Sequence, residues 1–212
     1  MDKISLIRGR WNRMRALAIT TVLAVQIIGA PVAHAAIAAT PQKTKGVEVP
    51  KGFKALSTVP IDGGNACVAG VTRDADAMNQ RALVYVEDAK KRPVWSAALK
   101  LRDDWYQNRA TKCLGIGTDV FVLVESDTDS HQATSQTFLS VIKLSAADGK
   151  IEGSKNLVID EATGPNSAWV GAAQDGFTLA SGKIVVKGNY FLMSDPDTKR
   201  PFSVIVPTSL DK

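Results

Sequence analysis

The sequence predicts an all-β protein, an antiparallel meander of about three repeated hairpin units. Three observations carry this expectation. From Phe53 onward, short runs rich in β-branched and aromatic residues are bounded by Gly, Pro, Asp, Asn or Ser. No window after the first 35 residues sustains a 3.6-residue apolar period over three turns. The order strand, Asp-x-Asp, strand also recurs three times along the chain.

The first unit reads Cys67-Val-Ala-Gly-Val-Thr72, then Asp74-Ala-Asp76, then Ala82 to Val86. It continues through the turn Asp88 to Pro93 into Val94 to Leu99. The second reads Val120 to Glu125, Asp127-Thr-Asp129 and Phe138 to Leu144. It passes through Ala147-Asp-Gly-Lys150 into Ile151 to Ile159. The third reads Ile184 to Met193, Asp195-Pro-Asp197 and Phe202 to Val206. Asp104 to Lys112 is the best helical candidate, a short one, and Phe53 to Thr58 is a candidate to lend a strand to the last unit.

These units resemble propeller blades, in which antiparallel strands meander outward and the chain then crosses to the next blade. A closed ring typically needs four or more blades, and a fourth unit does not fit this chain easily. A β-sandwich of the same meanders, or an open stack that pairs with a second copy, are the alternatives.

The chain has 212 residues, 45% hydrophobic and 22% charged, which excludes intrinsic disorder. Its net charge of +5 belongs mostly to the first 35 residues, where Lys3, Arg8, Arg10, Arg13 and Arg15 face only Asp2. Nucleic-acid binding therefore loses its main support. That segment has the parts of a secretory signal: a basic start, the apolar run Ala16 to Ile28, and Ala33-His34-Ala35. The run is about 13 residues, short of the roughly 20 that span a bilayer. The reading is a signal peptide over 1–35 cut before Ala36, a flexible lead-in over 36–51, and a single all-β domain over 52–212. Export to the periplasm or out of the cell follows, with no membrane span after cleavage. In that compartment two cysteines, Cys67 and Cys113, are expected to form a disulfide.

Candidate chemistry is thin. Asp74, Asp76 and Asn79, or Glu125, Asp127 and Asp129, could offer oxygens to calcium, but hairpin loops use the same residue types to bond their own backbone. That plainer reading is preferred, and no other cofactor is expected. The one histidine after the leader, His131, sits beside Ser130 and Asp127 in a polar loop, without a Gly-x-Ser-x-Gly elbow. Asp103-Asp104 before Trp105-Tyr106 would suit a sugar, although neighbouring strand residues point to opposite faces. Gly115-Ile-Gly117 reads as turn punctuation. What the loops do offer are residue types that dominate interfaces: Trp105, Tyr106 and the basic tip Lys90, Lys91 and Arg92. The expected function is a non-catalytic exported protein that recognises another protein, as an inhibitor or immunity-type antagonist would. The alternatives are a propeller-type enzyme or accessory acting on carbohydrate, and a calcium-stabilised envelope module. A homo-oligomer is compatible with the same reading.

Overall fold

In a computed structural model, residues 47–73, 78–128 and 135–210 are described. They form three four-stranded antiparallel sheets. The first sheet holds β1 (Lys54–Pro60), β2 (Ala66–Thr72), β3 (Arg81–Glu87) and β4 (Pro93–Ala98), in that order. The second holds β5 (Trp105–Ile116), β6 (Asp119–Thr128), β7 (Thr137–Ser145) and β8 (Ile151–Asn156), again in sequence. In the third, β11 (Lys183–Leu192) pairs with β12 (Asp195–Pro207) on one side. On its other side lie β10 (Phe177–Ala180) and β9 (Asn166–Trp169).

The second sheet is the middle layer, and β6 shows why. Side chains alternate across a strand, and here both sets are apolar. Val120, Val122 and Val124 pack with Cys67, Ala69, Val84, Val86 and Trp95 of the first sheet. Phe121 and Leu123 pack with Ile184, Val186, Tyr190, Phe202 and Val206 of the third. A strand buried on both faces reads as a continuous apolar run rather than an alternating one. The sequence Val120-Phe-Val-Leu-Val124 is such a run.

The Cys67–Cys113 disulfide joins β2 to β5 and so crosses between the first and second sheets. Nearby, Trp95 donates its indole N–H to the Ala146 carbonyl at 2.8 Å, seating β4 on the β7–β8 turn. Gly149 in that turn has a φ of 73°, and a Cβ there would overlap the Trp95 ring. The β5–β6 turn likewise uses Gly117, at a φ of 58°.

Several expectations need correction. No sheet closes, so the propeller-like reading goes no further than three four-stranded antiparallel sheets. Phe53 to Thr58 does not serve the last unit. It enters β1, which pairs with β2. Asp104 to Lys112 is not helical, because Trp105 onward is strand β5. Its apolar alternation is hidden by register shifts at Tyr106 and Thr111 and by polar side chains that find buried partners. Asp127 lies inside β6 and Asp195 to Asp197 opens β12, so these residues are in strands and not in loops. Asp74, Asp76, Asp129, Ser130 and His131 lie outside the described residues.

Candidate functional site

Trp105 begins β5 at one end of the second sheet. Its ring stacks on Phe138 of β7, with centroids 5.2 Å apart and planes 25° from parallel. The Arg102 guanidinium lies 4.7 Å above the Trp105 ring, an arrangement favoured by the ring quadrupole. Arg102 is itself held by Asp104 through two hydrogen bonds of 2.9 and 3.1 Å, which keep the Asp104 carboxyl below its usual range. Phe138 remains 39% exposed, and an open depression of about 510 Å³ lies alongside, bordered by Arg81, Leu101, Arg102 and Trp105. Tyr106 is half-buried, and its carbonyl accepts from Arg81 at 3.0 Å.

The basic tip is elsewhere. Arg81 starts β3 beside Tyr106, whereas Lys90 to Arg92 follow its far end, roughly 20 Å along the strand. Two of the three charges at the tip are met locally. Lys91 pairs with Glu87 at 2.6 Å, and Arg92 pairs with Asp88 at 2.6 Å. The backbone N–H and guanidinium of Arg92 hold Asp88 below its usual range. Lys90 keeps its side chain exposed. The aromatic and basic candidates are thus not one site.

Asp103 and Asp104 sit in the turn before β5. Asp103 is exposed and Asp104 is bound to Arg102, so they do not face one another across a cavity. Asp127 carries more interactions than any sequence reading assigned to it. It accepts from Arg109 at 2.6 and 3.0 Å, from Gln107 at 2.7 Å and from the Thr137 hydroxyl at 2.8 Å. Glu125, two residues earlier on the same face, accepts from the Val170 N–H at 3.1 Å and from Thr111 at 3.4 Å. Arg109 reaches it at 3.5 Å.

The two carboxylates titrate in opposite directions. Burial pushes Glu125 up, and the Val170 N–H and Arg109 only partly offset that. Burial also acts on Asp127, but hydrogen bonds from Arg109 and Gln107 outweigh it and hold the carboxyl low. Burial works against the Arg109 charge, yet Asp127 and Glu125 raise it overall. Carboxylates pushed apart in this way can serve as acid and base. Here, however, the Asp127 oxygens are committed to donors of β5 and β7 within the second sheet, and Glu125 accepts from the Val170 N–H just after β9, which makes the cluster a clamp inside the second sheet with one bond toward the third. The signal that reveals it in sequence is alternation: Gln107, Arg109 and Thr111 on one strand, Glu125 and Asp127 on the next.

Among the described residues, no group of three His, Cys, Asp or Glu side chains is placed to hold a metal ion. No helix among them is long and apolar enough to cross a membrane. The chain matches no protein-family model and no curated protein.

Proposed function

We propose that the protein is an exported, non-catalytic recognition module that binds another protein with the end of the second sheet carrying Trp105 and Phe138. The observation that carries this reading is the stacked aromatic pair capped by Arg102 beside an open depression. Trp and Arg are the residues most often found at energetic centres of interfaces. The rigid three-layer scaffold supports such a role by fixing the platform on strands rather than on a loop. Lys90, at the opposite end of β3, serves at most to steer an acidic partner.

The test is affinity capture from the periplasm with wild type and Trp105→Ala in parallel, followed by measured affinity for the captured partner. Loss of about 2 kcal/mol of binding with unchanged circular dichroism is the expected result. Equal capture by both proteins refutes the platform. Turnover of peptidoglycan or polysaccharide that vanishes in Asp103→Asn or Asp104→Asn refutes the non-catalytic reading.

A further inference from the structure

A cavity of about 370 Å³ lies where the three sheets come together, bordered by Leu56 and Val59 of β1, Lys112 and Leu114 of β5, and Phe177 and Thr178 of β10. Each of these strands is an edge of its own sheet. An edge strand carries one row of backbone N–H and C=O groups that point away from its only neighbour. Three sheet edges therefore border one space. The volume is within the range of small-molecule sites, which combine apolar walls with a few fixed polar groups.

The apolar wall is Leu56, Val59, Leu114 and Phe177. Leu56 is 42% exposed, so this wall reaches the surface. The polar end is Lys112. Its ammonium donates to the Ala172 and Ala173 carbonyls, both at 2.9 Å, crossing from the second sheet to the third. An ammonium has three donors, so one N–H remains after these two. Both acceptors are neutral carbonyls, and no described carboxylate lies within ion-pair distance of Lys112. The two carbonyls fix the position of the charge without neutralising it, as a preorganised anion site requires.

We propose that this cavity binds a small amphipathic carboxylate, with its carboxylate on Lys112 and its hydrocarbon body against Leu56, Val59, Leu114 and Phe177. The site is independent of the recognition surface above. Lys112 lies seven positions along β5 from Trp105, roughly 20 Å away. Its occupant joins all three sheets and so stabilises the layered fold by mass action.

Octanoate, octanol and octylamine, each below its micellar concentration, test this by calorimetry and thermal melting of the purified protein. Octanoate should bind saturably and raise the melting temperature, about tenfold tighter than octanol, with octylamine weakest. Lys112→Met should remove the preference of octanoate over octanol. Leu56→Trp, which fills the cavity mouth, should weaken both ligands, and Trp105→Ala should change neither. The proposal fails if none of the three ligands binds saturably to wild type, if octylamine equals octanoate, or if octanoate binding survives both Lys112→Met and Leu56→Trp unchanged. The ligand series on wild type needs no variant to fold.

Discussion

On the side of the middle sheet that meets the first sheet, the buried contacts are aliphatic side chains, Trp95 and a covalent bond between Cys67 and Cys113. The one large polar group there, Asn108, is neutral and fully used. It accepts from the Ala82 N–H at 2.8 Å and donates to the Leu99 carbonyl at 3.1 Å. The side that meets the third sheet has a larger apolar cluster around Phe121 and no disulfide. It adds three buried or half-buried charges, Arg109, Glu125 and Asp127. Two interfaces of the same β6 strand are therefore fastened by different physics. One should respond to reductant and the other to pH.

Loss of the disulfide should loosen the first interface selectively. Loop closure over 46 positions gives about 4 kcal/mol as an upper figure, since native strain is left out. We expect the Cys67→Ala, Cys113→Ala protein to lose up to that amount. Hydrogen exchange should rise across β1 to β4 while β11 and β12 keep their protection. A uniform rise over all three sheets would show that the layers unfold as one unit and would remove the distinction.

The charged cluster on the second side is tested by Asp127→Ala. Arg109 would then keep only Glu125, at 3.5 Å. Breaking a buried pair costs about 3–5 kcal/mol, and the 21% exposure of the Arg109 side chain argues for the lower end. Urea unfolding should show about 3 kcal/mol lost, with Asp127→Asn milder because its amide oxygen still accepts from Arg109. A loss below about 0.5 kcal/mol would place the cluster among surface ion pairs.

How much of this was legible in the sequence follows from the same contrast. Strands whose neighbours are apolar were readable: β2, β3, β6, β7 and β11 coincide closely with the runs that announce them. The disulfide was readable from two cysteines in a chain with a signal-like leader. β5 was not, because Gln107, Arg109 and Thr111 take polar positions whose partners lie on another strand, and register shifts at Tyr106 and Thr111 break the alternation. Asp127 looked like a loop residue for a related reason. An Asp-x-Asp pattern carries no sign of the arginine that turns one carboxylate into a clamp between neighbouring strands. The cavity beside Lys112 was invisible, since it is made by three strand edges that only the stacking of sheets brings together.

The finest test separates the two carboxylates by the sign of their pH response. Asp127 titrates below the ordinary aspartate value of 3.8 in the folded protein. Its contribution is fully present above that pH and is lost as pH falls through the lower folded value. Glu125 titrates above the ordinary glutamate value of 4.5. The folded protein then holds this proton to a higher pH than the unfolded chain does. Stability from Glu125 therefore declines as pH rises from 4.5 through the folded value. Glu125→Gln removes that decline. Its amide oxygen still accepts from the Val170 N–H, and the repulsion of Asp127 disappears. The contact with Arg109 that it gives up is the long one at 3.5 Å. The net change at neutral pH should stay within about 1 kcal/mol. Its pH dependence is the decisive quantity: measured by urea unfolding from pH 4 to 8, the stability of Glu125→Gln relative to wild type should increase as pH rises. Asp127→Asn should keep a level deficit over that range, and a second series carried below the ordinary aspartate value of 3.8 should find the deficit shrinking as wild-type Asp127 becomes protonated. If Glu125→Gln instead loses ground steadily toward pH 8, the ionised Glu125 is a net stabiliser, and this face of the second sheet is held by both carboxylates rather than by Asp127 alone.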